Sequence, residues 1–332
     1  MPGTNSNDTG VNSSITIIDD LGRSVSFTKS VSHIASLSSD ATTLLLVIGA
    51  GNALTGVSGT PLTFPYMAEK MPNATLLGGT YGTTPDVEQI VTLNPDVVIL
   101  MTTTNSIVAD KLNQTHIPYI YVDGYKLADI PKEVSLLGKL TGQTENASKY
   151  NSFYQKYQDI IKDRIGSTPE SLRPTVYYEG GSSFSTVGNT SGGDSLIKMA
   201  GGRNIAGDIN VPWPQVSPEW VIQQNPDVFI KIAYPGSLNN STIQDIQAVC
   251  LNQSTLSPIN AIKNGRVYVI NQKITYNSIG IVALMYMAKA IYPDKFSDID
   301  PGEMLSEYDR EFLPGSTIDN PYYPALSDNN SK

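Results

Sequence analysis

Trp213 stands between Pro212 and Pro214. Proline removes a backbone donor and fixes φ, so neither a helix interior nor a central strand can hold this residue, and it must sit on a stiffened loop. Other aromatics share such settings: Phe64-Pro65-Tyr66, Tyr81 within Gly78-Gly79-Thr80-Tyr81-Gly82, Tyr177 and Tyr178 ahead of Glu179-Gly180-Gly181, then Phe184, and Tyr276 after Ile274-Thr275. Rigid rings on loops offer large contact area at little entropy cost, which suits a flat or bulky ligand. The competing reading for Trp213 is a plug in the core.

Catalytic chemistry finds little support. The chain has two histidines, His33 and His116, each beside an expected strand and each read as structural. A bare zinc or manganese site would want several histidines together with carboxylates. One cysteine, Cys250, excludes an internal disulfide and any CxxC motif, and is expected as a small buried hydrophobe. GxSxG, P-loop and HExxH motifs are missing. Gly49-Ala50-Gly51 imitates part of a dinucleotide fingerprint but follows a helix, so it reads as a helix C-cap. No pair of carboxylates is spaced for acid/base work. An enzyme is not expected, nor a resident cofactor or metal.

At 332 residues the chain has room for two domains, each with its own core. The net charge of −9 argues against nucleic acid, which requires clustered Lys and Arg. No apolar run reaches the roughly 18 residues of a membrane span; the best candidate, around Ile279–Met287, reads as a buried helix. Residues 1–14 are too polar for a signal peptide and are expected to be a flexible leader, left after an export signal is removed. Asn-x-Ser/Thr occurs at Asn7, Asn12, Asn73, Asn113, Asn146, Asn189, Asn239, Asn240, Asn252 and Asn329. Those ten exceed the roughly four that 24 Asn and 61 Ser plus Thr would give by chance, 24 × 61/332. The excess favours a surface-exposed, glycosylated protein outside the membrane, against simple richness in Asn and Ser.

The elements that must carry the loops alternate. Residues 15–19 and 22–27 form an expected hairpin, and 33–37 a short buried strand. Ser38 or Ser39 can cap a helix that stops at Gly49. A strand over 53–58, a short helix after Pro85, a strand over 96–101, a helix from Asn105 and a strand over 117–123 follow. This order predicts parallel sheet with crossover helices. From Thr144 to about Ile165, apolar residues fall at Tyr150, Phe153, Tyr154, Tyr157, Ile160, Ile161 and Ile165 without an internal Pro or Gly. That is one amphipathic helix, a stiff spine between two halves.

The halves are alike. Residues 84–101 and 217–232 share a helix with Glu near its start, then Asn-Pro-Asp-Val opening a strand. Glu88 to Glu219, Asn94 to Asn225 and Asp96 to Asp227 are each 131 positions apart. Two similar lobes predict a cleft, the usual place for a small ligand.

In order along the chain, HIASLSSDATTLLLVIGAGNALTGVS, DVEQIVTLNPDVVIL, the spine helix, GGDSLIKMAGGRNIAGD and VPWPQVSPEWVIQQNPDVFI resemble the class III periplasmic binding proteins of ABC importers, the iron-chelate and cobalamin group. The likeness runs from about Ile15 to Tyr292, and VPWPQVS is nearest the cobalamin-binding branch. The resemblance implies an α/β fold of two lobes of mostly parallel sheet flanked by helices and joined by one long spine helix. The expected domains are a leader 1–14, an N-terminal lobe 15–142, the spine 143–167, a C-terminal lobe 168–326 and a flexible tail 327–332.

It further implies a monomeric, exported, extracytoplasmic protein, membrane-anchored in its precursor, that hands a metal chelate to a permease dimer driven by ATPase subunits. Glu88 and Glu219 match the two glutamates that dock on permease arginines; the alternative is that each caps its helix. Expected ligand contacts are Thr60, Tyr81, Tyr178, Glu179, Phe184, Trp213, Lys273 and Tyr276. None of the six arginines (23, 164, 173, 203, 266, 310) lies in these loops, which favours a ligand of low charge such as a corrinoid over anionic siderophores. Against this, Tyr81 and Gly82 stand where the cobalamin binder carries a Trp. A ferric siderophore is the second ligand reading and molybdate or tungstate a third. A surface sensor or adhesin without a transporter is the reading outside transport.

Overall fold

Short runs of β-branched and aliphatic residues set the framework. In the computed structural model, which describes residues 14–63, 65–78, 85–234, 242–316 and 321–323, these runs form two separate parallel sheets. The chain divides into Met1–Asp123 with Lys132–Ser148, and Gly124–Pro131 with Lys149–Lys332.

The first unit opens with an antiparallel hairpin of β1 (Ile15–Ile18) and β2 (Ser24–Phe27). There follow β3 (Ile34–Ser36), α1 (Ser39–Val47), β4 (Leu54–Val57), α2 (Pro65–Ala68), β5 (Thr75–Leu76), α3 (Val87–Leu93), β6 (Val97–Leu100), α4 (Ser106–Leu112), β7 (Tyr119–Tyr121) and α5 (Ile130–Thr141). The sheet order is β5-β4-β3-β6-β7, with every pairing parallel. Every residue of β3 and β6 is buried, as strands covered on both faces require. Of the two candidate caps for α1, Ser38 serves: its hydroxyl accepts from the Ala41 N–H at 3.0 Å.

The spine α6 (Thr144–Ile165) runs across the division between units. Tyr150, Phe153, Tyr154, Tyr157, Ile161 and Ile165 are all buried, as their spacing requires. The division between the units falls inside the helix, between Ser148 and Lys149, and residues 124–131 go with the second unit. Tyr154 Oη donates to Leu127 O at 2.7 Å and Asn151 Nδ2 to Pro131 O at 2.9 Å, which ties that segment to the spine.

The second unit contains β8 (Thr175–Glu179), α7 (Gly192–Met199), β9 (Arg203–Asn204), α8 (Pro218–Gln224), β10 (Val228–Ala233), α9 (Ile243–Leu251), α10 (Asn260–Lys263), β11 (Val267–Asn271), α11 (Gly280–Ile291), α12 (Pro301–Glu311) and β12 (Tyr322–Tyr323). Its order is β12-β11-β10-β8-β9, with only β12 antiparallel. The apolar run around Ile279–Met287 is α11, buried almost throughout. Among the described residues no helix is long and apolar enough to cross a membrane.

The sequence repeat is a structural one. Asn94 and Asn225 close α3 and α8 in the left-handed conformation, at φ 45 and 44°, where Asn is better tolerated than most residues. After the proline, Asp96 accepts from the Ser32 and His33 N–H groups at 2.8 and 3.0 Å. Asp227 likewise accepts from the Thr175 N–H at 2.9 Å. Each aspartate N–H returns a bond to the same segment, to His33 O and Thr175 O. The motif therefore ends a helix, turns the chain and pins the new strand to the start of its sheet neighbour, β6 to β3 and β10 to β8. With β4 matched to β9 and β7 to β11, the order of four strands coincides, β4-β3-β6-β7 with β9-β8-β10-β11, while β5 and β12 add unmatched edges at opposite ends.

Candidate ligand-binding site

β8 delivers Tyr177, Tyr178 and Glu179 in succession, and all three are buried. The chain then leaves the sheet in a glycine-bearing segment, 180–192, that is the common neighbour of the aromatic residues. A methyl placed on Gly180 would lie 3.4 Å from Trp213 Cζ3, and one on Gly192 would lie 3.3 Å from Tyr276 Cε1. At Gly188 it would lie 2.0 Å from Val211 O, a clash that no side chain escapes. Backbone bonds join this segment to the Trp213 loop: Thr186 N–H to Pro214 O at 3.0 Å, Gly188 N–H to Pro212 O at 3.2 Å and Val216 N–H to Phe184 O at 3.0 Å. Ser185 and Gln215 form an antiparallel bridge. Trp213 is held on both sides yet remains 47% exposed, so it is no core plug.

Tyr178 Oη lies 3.2 Å from Tyr276 Oη. Tyr178 is fully buried and Tyr276 half-buried. Burial, followed by the neighbouring Tyr276 phenol, pushes Tyr178 well above the ordinary tyrosine value, so the group stays protonated. Tyr276 leads into Asn277–Ile279, a 3-10 turn whose first residue has φ 56°. Lys273 is exposed on the preceding turn, Gln272–Ile274, with its N–H on Asn271 Oδ1 at 3.0 Å.

Glu179, one of the expected ligand contacts, is engaged by the protein on both of its oxygens. Its side chain is 5% exposed and pairs with Lys231 Nζ at 2.9 Å through Oε1. Oε2 accepts from Tyr177 Oη and from the Phe184 N–H, both at 2.8 Å. With both oxygens engaged beneath the surface, Glu179 holds the loop from below. Phe184 is half-buried with φ 60°, and its ring packs against the core around Phe229 and Val267. Lys231, which sequence reasoning passed over, is the missing partner. A lysine amid the apolar residues of a central strand has to be paired, and across the sheet its register partner is Glu179. Cys250 is buried and free; burial first, then Glu179, raises its thiol to about 12, which makes it inert.

Tyr81 lies outside the described residues, as do Phe64, Gly79, Thr80 and Gly82. Thr60 opens the 3-10 turn Thr60–Thr63, and its side chain is likewise outside them. The structure thus brings together Tyr178, Glu179, Phe184, Trp213 and Tyr276 in the second unit. Glu88 and Glu219 are each exposed at the second residue of a seven-residue helix, one per unit, where the helix dipole favours a carboxylate. The caps are supplied by Asp86 and Ser217, which leaves both glutamates free of that duty. His33 is an exposed side chain beside Asp96, at 3.5 Å, and among the described residues no group of His, Cys, Asp and Glu could hold a metal ion.

Comparison with known proteins agrees with this architecture. The family model described as periplasmic binding protein matches residues 34–274. A cobalamin-binding protein of Halobacterium salinarum is 28% identical over 201 residues, 60% of this chain and 53% of that protein. The match thus spans about half the length of the halobacterial relative. A vitamin B12-binding protein of Yersinia pestis is 26% identical over 209 residues, covering 63% of this chain and 72% of its own. Among solved structures, the TroA-like periplasmic binding protein FepB from Veillonella parvula matches with a TM-score of 0.77 at 24% identity, over 94% of this chain and 99% of that one.

Proposed function

The chain belongs to the periplasmic binding protein family, and from that membership we propose that it is the extracytoplasmic substrate-binding protein of an ABC importer for a corrinoid or related metal chelate. It performs no catalysis. It captures the chelate on the aromatic loops around Trp213 and Tyr276, and presents Glu88 and Glu219 to a permease dimer whose ATPase subunits drive uptake.

One observation carries the ligand class. Trp213 offers a half-exposed indole on a loop stiffened by two prolines and bonded on both sides, a rigid platform for a broad, flat surface. Within residues 180–192, 211–216 and 272–276, Lys273 is the one formal charge, which suits a ligand of little net charge. The two relatives named for cobalamin and vitamin B12 support the same choice.

The test is titration of the purified protein with cyanocobalamin, ferric siderophores and molybdate, followed by tryptophan fluorescence and by the visible spectrum of the protein after desalting. A corrinoid spectrum retained at one equivalent supports the reading. Retention of a ferric siderophore or of molybdate alone would transfer the protein to that ligand, and a protein that retains none would be a sensor or adhesin instead of a carrier.

A further inference from the structure

We propose that Lys231 is the positioning residue of the aromatic platform, holding Trp213 in its binding geometry through Glu179 and the Gly180 carbonyl without touching ligand itself. The inference rests on the reading of Trp213 as a ligand contact. Lys231 lies in the central strand β10, and its side chain is 11% exposed. Nζ donates to Glu179 Oε1 at 2.9 Å and to Gly180 O at 2.7 Å. The second bond fixes the first peptide beyond β8, where the chain turns from the sheet into the loop. Gly180 is also the residue on which the indole rests.

Glu179 extends the hold in the other direction. Its Oε2 accepts from the N–H of Phe184, which sits at φ 60°, a conformation costly for an aromatic residue without such an anchor. Phe184 O in turn accepts from Val216 N–H, and Gly180 N–H donates to Ser185 O at 2.8 Å. Gln215 Nε2 adds a bond to Ser183 O at 2.8 Å. A continuous series of bonds therefore runs from the Lys231 ammonium through Glu179 and Phe184 to Val216, on the C-terminal side of Trp213. Folding alone does not call for the pair, since apolar residues of similar volume often replace a buried ion pair with no loss of stability. The geometry it imposes on Gly180 and Phe184 is what the apolar replacement lacks.

The test uses the full chain carrying 5-fluorotryptophan, which gives two fluorine resonances, Trp213 and Trp220, assigned with Trp213→Phe. In the double variant Glu179→Gln/Lys231→Met, which leaves no unpaired buried charge, the Trp213 resonance should broaden or split while that of Trp220 keeps its position. Cyanocobalamin affinity should fall roughly tenfold, the low end of what removing an outer partner costs at metal sites. Should the double variant fail to fold, Tyr177→Phe, which removes only one donor to Glu179, should give a smaller change of the same kind. A folded variant whose Trp213 resonance and affinity match the wild type overturns the proposal. If the wild type binds no cobalamin, the function proposed above falls, and the ligand-free Trp213 resonance still decides the role of Lys231.

Discussion

Tyr178 and Tyr276 meet hydroxyl to hydroxyl at 3.2 Å, and the two are unequal: Tyr178 has no solvent exposure, whereas Tyr276 is half-buried. Removing either hydroxyl breaks the same bond, with unequal consequences. Tyr276→Phe strands the Tyr178 hydroxyl in the interior, at a cost of about 1–3 kcal/mol. Tyr178→Phe leaves the Tyr276 hydroxyl within reach of water and should cost clearly less. Urea unfolding of the two single variants measures the difference; equal losses would mean that the Tyr178 hydroxyl has another way to be satisfied.

The aspartate of the repeated motif makes stability depend on acid. Burial works against ionisation of Asp96, but hydrogen bonds from Ser32 and His33 outweigh it and hold the carboxyl below its ordinary value of 3.8. A carboxyl with a depressed folded pKa contributes stability that is complete above the unfolded value and is lost as pH falls through the folded one. Asp96→Ala should therefore cost about 1–3 kcal/mol near neutral pH, and its deficit against the wild type should shrink below about pH 3.8. Chemical denaturation of both proteins across pH 2–7 follows the gap directly.

That motif shows why part of the fold was legible in advance. Asn-Pro-Asp-Val encodes a local sequence of events: Asn accepts a left-handed helix end, Pro bars continuation, and Asp receives the N–H groups of a neighbouring strand. Each event depends on the residue itself, so two copies 131 positions apart identify two like units. The α6 stripe was legible for a similar reason, because period and length are properties of the segment. Membership of residues 124–131 was not, since it rests on what Tyr154 and Asn151 reach across space. At the site, the prolines around Trp213 announced a loop. Tyr178 and Glu179 were read as loop residues because Gly180-Gly181 follows them, whereas they complete a buried strand. The signal that would have corrected this was Lys231 within VFIKIA: a charge inside a central strand needs an opposite charge in register, and the end of β8 supplies one.

Under the proposed function Trp213 should contribute to binding and almost nothing to folding, because 47% of it is already exposed. Trp213→Ala should weaken cyanocobalamin binding by roughly 1–3 kcal/mol, the scale of a strong single aromatic contact. The urea midpoint should move little. Isothermal titration paired with unfolding separates the two, and a large fall in stability with unchanged affinity would make the indole a packing residue.

Thr186 tests the interior of the same segment. Its Oγ1 is buried with no hydrogen-bond partner among the described residues, although its N–H is bonded to Pro214 O. A buried hydroxyl without a partner costs about 1–3 kcal/mol relative to an apolar group of the same shape. Thr186→Val should accordingly stabilise the protein, by about 1 kcal/mol in urea unfolding. A destabilised valine variant would show that the hydroxyl is satisfied in solution, by a bound water.

Glu88 and Glu219 should matter to transport and leave capture unchanged. Each projects from the first turn of a short helix whose cap is supplied by another residue, Asp86 or Ser217. Each occupies the equivalent place in its unit, since the Asn-Pro-Asp motif fixes the same distance along the chain to the following strand. Exposed carboxylates of this sort contribute on the order of 0.5 kcal/mol to folding. At an interface they can pair with arginine, bidentate where geometry allows, and so select which face is presented. A symmetric permease dimer offers two like pockets, and a repeated glutamate fits that symmetry better than two unrelated acids would. Replacing both with Ala should leave folding and cyanocobalamin affinity unchanged and reduce stimulation of the transporter's ATPase in proteoliposomes. Replacing both with Lys should reduce it further, because like charges would then face each other across the contact. Normal stimulation by the double Ala variant would remove the docking role and return Glu88 and Glu219 to the solvated ends of their helices.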